Sequence, residues 1–400
     1  MKKKKLNKKA VGIGAAVLCA LLLLKAVLAP ANVGKMGDVT ITAGVYKMAQ
    51  FQAYQSALNV ATEQQAAMTT GQFLNEQIAV DENGNPVAVE DHEDHDHEDE
   101  AAEQTEQTLV TVKDFVAAET ERLLRDYAAV ESRFAALNGT LTEEQTAEAD
   151  EYAAQVWESY GALYYNNGIR LKDIKAFEYN YFKAQQLLPL IYGTNGETPV
   201  GEEVLMDTLT EEGIYGSYVM VPLYNTSTYA FATTEQMTEM EQKAQAIVDG
   251  YNGAAGSAQP TGEAAQAAFT DALMAGLADV YGVLDVEYDP AETLESELFT
   301  DLFLKDELAS AMSEEDAAAL SALQPGEAAV VQYSYYGLMI FLRGDALEEK
   351  TLADWEPVLL SHLKSAELTE ALETAADELT NGLKGYARSA YSARSISLMY

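Results

Sequence analysis

Apolar side chains recur at helical spacing over the first half of the chain. A short strand at 37–42 is expected to end in a helix N-cap at Thr42, because a threonine hydroxyl accepts hydrogen bonds from the first free N–H groups of a helix. The apolar positions then fall on one side of each of several helices. These helices are expected at 43–68, at 111–138, from Thr140 or Thr142 to 165, and within 168–193.

The second half alternates between two periodicities. β-Branched and aromatic runs predict strands at 217–221, 329–333 and 338–342, and the Pro-Gly pair at 325–326 predicts a turn before the last two. Helical spacing predicts further helices at 234–251, 263–283, 293–308 and 314–323. We therefore expect an α+β fold that is mostly α-helical.

The chain ends in a predicted helix over 352–383, followed by the locally basic sequence GYARSAYSARSISLMY. We interpret this last stretch as a disordered tail without a readable function. The 400 residues are enough for two or three domains, and a hydrophobic fraction of 48% permits real cores.

The charge of the chain excludes one class of partner. There are 64 acidic against 25 basic residues, a formal net charge of −39, and seven of the lysines lie in the first 25 residues. Phosphate backbones are bound by lysine and arginine, so nucleic acid is not expected as a partner. The simplest explanation of the acidic surface is that it keeps an exported protein soluble.

The first 31 residues resemble an export signal or a membrane anchor. Basic residues 2–9 precede an apolar run at 10–24, and the run continues past Lys25 to Ala31. Cleavage after 29–31 and retention as an anchor both remain open. Cys19 is the only cysteine, so no disulfide forms within the chain. Because the bulky Leu18 precedes Cys19, an inert thiol is favoured over a lipid attachment site.

Residues 81–108 break the helical pattern with a polar, acidic sequence that predicts a disordered loop. His92, His95 and His97 lie among its carboxylates. Imidazole and carboxylate groups are a workable ligand set for Zn or Ni, so the loop is a candidate metal site. The alternative, which we favour, is a solvated acidic loop with incidental histidines and no cofactor.

The stretch LQPGEAAVVQYSYYGLMIFLR at 323–343 resembles the C-terminal end of a parvulin-type peptidyl-prolyl isomerase. In that family the last strand usually opens Gly-Tyr-His, and the first usually reads Ala-Ser-His-Ile-Leu-Val. The positions that match the two histidines are Met339 and Tyr218. The resemblance covers roughly 213–345, and it implies a parvulin-like domain that has lost most of its catalytic polar groups.

Two further segments resemble the helical chaperone domain of SurA- and PrsA-type foldases: the strand and helix that start at Gly37, and the sequence GIRLKDIKAFEYNYFKAQQLLPLIYG at 168–193. The resemblance implies a helical lobe at 36–200, completed by a C-terminal helix within 346–400, with the parvulin-like domain inserted. It also implies contact with unfolded clients through aromatic side chains. The candidates are Tyr54, Phe115, Trp157, Tyr160, Phe177 and Tyr181.

The function expected from these features is that of an extracytoplasmic chaperone. It would bind unfolded or nascent exported proteins and be held at the cell membrane by its N-terminal segment, or be secreted if that segment is cleaved. A metal-binding surface protein that uses the histidine-rich loop is the alternative. An active prolyl isomerase ranks third.

Overall fold

The computed structural model describes residues 31–88, 107–255 and 260–399, which form two compact units. One, called the helical unit here, comprises Met1–Ile191 and Lys364–Tyr400. The other, called the sheet unit, comprises Tyr192–Leu363. Helices dominate and the sheets are small and antiparallel, so the predicted α+β class is confirmed. The predicted export segment and Cys19 lie outside the described residues.

The helical unit begins with a hairpin of β1 (Asn32–Met36) and β2 (Val39–Thr42), followed by helix α1 (Ala43–Asn59). Thr42 is the N-cap, as predicted, and its hydroxyl accepts a 3.2 Å hydrogen bond from the N–H of Val45. The prediction that this helix continues to residue 68 was wrong. Thr62 and Gln65 form a capping box that starts a new short helix, α2 (Glu63–Ala66), and α3 (Thr70–Phe73) follows.

A small sheet in the helical unit was missed by the sequence prediction. Strands β3 (Gln77–Val80), β4 (Pro86–Val87) and β5 (Thr108–Thr111) pair in the order β4-β3-β5. The loop predicted at 81–108 is therefore corrected at its two ends, where 81–88 and 107–108 are ordered. A turn closes the β3–β4 hairpin, because Asp81 accepts hydrogen bonds from the backbone N–H groups of Asn83 and Asn85.

Three long helices complete this part of the chain close to their predicted limits: α4 (Val112–Ala136), α5 (Glu143–Asn166) and α6 (Leu171–Tyr192). Thr111 and Thr142 are the N-caps of α4 and α5. Asn138 has a φ of 53°, a left-handed conformation that asparagine tolerates, and the chain leaves helix α4 there. The apolar sides of α1 and α4 lie in the core of the unit.

The sheet unit is built around a four-stranded antiparallel sheet of β6 (Gly213–Pro222), β7 (Phe299–Leu304), β8 (Ala328–Tyr333) and β9 (Gly337–Arg343). The strand order is β7-β6-β9-β8. The strands predicted at 217–221, 329–333 and 338–342 lie within three of these. The accompanying helices are α7 (Glu202–Glu211), α8 (Thr234–Ala255), α9 (Gly262–Tyr281), α10 (Pro290–Glu297), α11 (Lys305–Ala311), α12 (Glu314–Ala322) and α13 (Ala346–Glu349).

Both faces of this sheet are covered by helices. Val219 and Ile340 pair across β6 and β9 and point into a core formed with α8 and α9. Met220 and Met339 pair one residue along and point into a second core formed with α11 and α12. Burial on both faces explains why the sequence of β9 is continuously apolar. Within the described residues, the one helical stretch long and apolar enough to cross a membrane is Gly262–Leu284, and its buried positions belong to the first of these cores.

The predicted helix at 293–308 was wrong. Helix α10 ends at Glu297, and Phe299–Leu304 forms β7, which pairs with β6 along six residues from Gly213 to Tyr218. Apolar residues in this stretch are spaced closely enough to imitate a helical stripe. The sheet edge decides the outcome, because β6 offers a row of backbone groups that a helix at this position would leave unpaired.

The C-terminal segment returns to the helical unit. Helix α14 (Leu352–Glu378) ends five residues earlier than predicted, where the guanidinium of Arg125 donates hydrogen bonds to the carbonyls of Ala376 and Leu379. The expected disordered tail was also wrong. It forms α15 (Gly385–Ala390) and a 3-10 turn at Ala393–Ser395, and it buries apolar side chains in the core of the unit: Ala387, Tyr391 and Ile396.

Candidate functional site

Tyr218 and Met339, the positions that match the histidines of the parvulin family, lie on the same face of the sheet. The hydroxyl of Tyr218 donates a 2.9 Å hydrogen bond to Asp301, and its ring contacts Phe299 and Phe303. Burial, and then the Asp301 carboxylate, raise the pKa of Tyr218, so the phenol stays protonated at neutral pH. Met339 is only 1% exposed and belongs to the core.

The surroundings of this pair are apolar. Met220, Met312 and Tyr333 pack on the same face. The hydroxyls of Ser217 and Thr300 share a 2.8 Å hydrogen bond on the opposite face, because side chains alternate along a strand. His362 is the only histidine in the sequence of the sheet unit, and its imidazole lies against Glu212 at 2.9 Å and Asp306 at 3.6 Å. The face therefore offers a phenol donor and a carboxylate, with a thioether where the family has an imidazole.

Two of the six predicted client-binding residues are not accessible. Tyr54 is 1% exposed and packs edge-on against Phe73, and Phe115 is 4% exposed in the same core. Their assignment to client contact is therefore corrected, because a client cannot reach them while the unit is folded. Trp157 is half-buried and packs on this core. Helical periodicity identified these residues as apolar positions but did not separate the buried side of a helix from its surface.

Tyr160, Phe177 and Tyr181 line two grooves on the surface of the helical unit. The first groove encloses about 600 Å³ between α1, α5 and α6, with Tyr152, Phe177 and Tyr181 in its walls. The second encloses about 560 Å³ between α1, α4 and α5. Its aromatic lining consists of Phe51, Tyr160 and Tyr164. Gln52 on α1 lines both grooves, so they adjoin one another.

The tyrosines in these grooves are well exposed. Tyr152, Tyr160 and Tyr181 are 54%, 48% and 59% exposed, which is high for large side chains of mixed polarity. Burial raises the pKa of Glu178, which lines the first groove. Burial also raises the pKa of Tyr164 in the second groove, and the negative charge of Glu178 raises it further. The grooves thus combine exposed aromatic rings with polar side chains.

The aromatic residues Phe51, Tyr152, Tyr164 and Phe182 line the grooves but were not among the sequence candidates. A signal for Tyr152 was present in the sequence, since it precedes Tyr160 by eight residues and so lies on the same face of α5. Helix α1 lines both grooves because of the way the helices pack, and no feature of its own sequence predicts this.

The sheet unit carries a separate group of exposed aromatic rings, on the loop after β6 and the hairpin between β8 and β9. Tyr229, Phe231, Tyr335 and Tyr336 are each more than half exposed. Phe231 contacts both hairpin tyrosines at ring-centre distances of 5.9 Å. Sequence reasoning missed this group, although no charged residue occurs between 222 and 234.

The candidate metal ligands His92, His95 and His97 lie outside the described residues. Within the described ranges, no group of three or more histidine, cysteine or acidic side chains is arranged to hold a metal ion.

A scan against models of protein families and a search of curated proteins both find no match to this chain. A search of solved structures finds the foldase protein PrsA from Streptococcus pneumoniae str. Canada MDR_19A. It is 13% identical, with a TM-score of 0.33 over 72% of this chain and 97% of that one. PrsA from Bacillus subtilis is 14% identical, with a TM-score of 0.28 over 71% of this chain and 94% of that one.

Proposed function

We propose that this protein is an extracytoplasmic chaperone that binds unfolded exported polypeptides in the two adjoining grooves of the helical unit. The observation that carries the proposal is the exposure of Tyr152, Tyr160 and Tyr181 in grooves that contain further aromatic rings. Soluble monomers seldom expose large aromatic surfaces unless these bind a partner.

The chemistry of the grooves fits clients of varied sequence. A tyrosine offers a large apolar ring and one polar group at a low cost in side-chain entropy, and this combination suits adaptable binding surfaces. Gln52, Gln55, Ser56 and Asn59 lie among the rings on α1 and offer both hydrogen-bond donors and acceptors. An unfolded segment presents apolar side chains together with unpaired backbone groups, so both parts of such a groove have a partner.

The charge of the protein fits the same role. A net charge of −39 keeps a protein with exposed aromatic rings soluble and prevents self-association through them. We expect clients with basic segments to be attracted and anionic ones to be repelled, and we expect salt to weaken this preference. The basic and apolar N-terminal sequence supports a location on the extracytoplasmic side of the cell membrane.

We propose that the parvulin-like part of the sheet unit contributes little or no prolyl isomerisation. Catalysis of this reaction requires stabilising a twisted amide against a barrier of about 18–20 kcal/mol. A buried Met339 offers no polar group for that purpose, and Tyr218 is already bonded to Asp301. In a proline-peptide assay, the wild type and Tyr218→Phe should both match the uncatalysed rate. A wild-type rate well above it, lost in Tyr218→Phe, would establish an enzyme.

The chaperone function is tested by suppression of aggregation of an unfolded client at equimolar ratio. The test variant carries Tyr152→Ser, Tyr160→Ser and Tyr181→Ser, and the control carries Tyr386→Ser. Tyr386 is 63% exposed in the same unit but lines neither groove, so its replacement matches the chemistry of the test changes. Wild type and control should protect the client, and the triple variant should not. Equal protection by all three would reject the grooves as the client site.

A further inference from the structure

A third cavity of the helical unit has a different character from the client grooves. It encloses about 230 Å³ between α1, α4 and the C-terminal segment. Its lining includes Lys113 from α4 together with Arg388 and Arg394 from the segment that the sequence predicted to be a disordered tail. The two arginines lie in two copies of the tripeptide Ala-Arg-Ser, at 387–389 and 393–395. Folding of the C-terminal segment therefore brings three cations to one small cavity.

These cations are not neutralised by the protein. The side chains of Lys113, Arg388 and Arg394 make no hydrogen bond or ion pair with any residue that the structure describes. The one carboxylate in the lining belongs to Glu121, which is paired with Arg125 at 3.0 Å. All three cations are exposed, but their grouping around one cavity, without carboxylate partners among the described residues, is unexpected in a chain with 64 acidic residues.

A polar side chain of α1 completes the lining. Gln50 lines the same cavity and is 9% exposed. Its N–H₂ group is a donor that can face an anion, as can the N–H groups of the arginines.

We propose that this cavity binds a phosphate group. Planar guanidinium groups match the oxygens of phosphate, and two of them with one lysine suit a dianion better than a single carboxylate. A phosphate monoester carries a charge of about −1.5 to −2 at pH 7, which balances most of the local charge, whereas a monocarboxylate would leave two cations unbalanced. The small volume selects a phosphate group over a nucleotide. The site is separate from both client grooves.

Isothermal titration of inorganic phosphate into the full-length protein tests the proposal. Arg388→Gln with Arg394→Gln should weaken binding at least tenfold, and Gln50→Glu should do the same by placing a carboxylate in the cavity. Lys172→Gln removes an exposed positive charge of the same unit away from the cavity, and it should change affinity less than twofold. Circular dichroism checks that each variant is folded.

Three results would overturn the proposal: no phosphate binding by the wild type, equal binding by the double variant, or acetate bound as tightly as phosphate. Phosphate should also raise the melting temperature of the wild type and not that of Gln50→Glu, which keeps the test decisive if the double variant fails to fold. Methyl phosphate and dimethyl phosphate test the charge of the ligand. Preference for the former indicates a free phosphate or a monoester, and equal binding of the latter, which carries a single charge, would contradict the proposed match to a dianion.

Discussion

The replacement Tyr391→Ala tests whether the C-terminal segment is an integral part of the helical unit. Tyr391 is 9% exposed, its ring lies 6.4 Å from that of Tyr46, and the ammonium group of Lys47 lies 4.7 Å from its centre. A buried tyrosine removes about 200 Å² from water, worth about 4–5 kcal/mol at roughly 25 cal/mol per Å². Since alanine retains part of that burial, we expect a loss of about 3 kcal/mol in the free energy of unfolding.

Urea denaturation measures this loss in one unit at a time, because the chain has two tryptophans, Trp157 in the helical unit and Trp355 in the sheet unit. In a Trp355→Phe background, the fluorescence of Trp157 reports on the helical unit. Tyr386→Ala is the control: this residue is five positions earlier and 63% exposed, so its loss should change stability by less than about 0.5 kcal/mol. Equal, small effects of both replacements would refute the packing of this segment.

Other predictions address the backbone, alkaline pH and metal. Gly34→Ala should cost more than about 2 kcal/mol, because φ is 148° and a Cβ would lie 2.5 Å from the carbonyl oxygen of Gly382. The control Gly71→Ala meets no atom within 4 Å and should be neutral or stabilising in the same urea assay. Burial raises the pKa of Tyr288 to about 12 in the folded protein, so as the pH rises the phenol of the unfolded chain loses its proton before that of the folded chain. Stability of the sheet unit should therefore fall as pH rises from about 10 to 12, and fall less in Tyr288→Phe; equal slopes in alkaline melting curves would contradict this. Calorimetric titration of Zn or Ni should give the same heat for the wild type and a deletion of residues 90–100, whereas a heat lost on deletion would establish the metal site.

Capping residues made the long helices predictable. Thr42, Thr111 and Thr142 each sit directly before an apolar period, and in each case the hydroxyl accepts a hydrogen bond at the start of the helix. Strands β8 and β9 were predictable for a related reason, since a Pro-Gly turn precedes two runs of β-branched and aromatic residues. Such local signals act over a few residues and do not depend on the rest of the fold.

The predictions that failed depend on contacts between distant residues. Phe299–Leu304 is a strand because β6 lies beside it and pairs with it. The C-terminal segment is ordered because residues of β1 and α4 form hydrogen bonds with it. The N–H of Lys384 bonds to the carbonyl of Val33, and Asn167 holds Ser397 through two hydrogen bonds. Likewise, Tyr54 on α1 and Tyr160 on α5 are both apolar positions of predicted helices. Only the packing of the helices determines that Tyr54 is buried and Tyr160 exposed.

Site-specific photocrosslinking to an unfolded client tests the central claim most directly. A photoreactive phenylalanine analogue is placed at position 152 or 181 in the first groove, at 160 in the second, or at 386 as the control. The grooves account for client binding if the client crosslinks at 152, 160 and 181, is displaced there by excess unlabelled client, and does not crosslink at 386. Crosslinking at 386 with none at the three groove positions would contradict the proposed site.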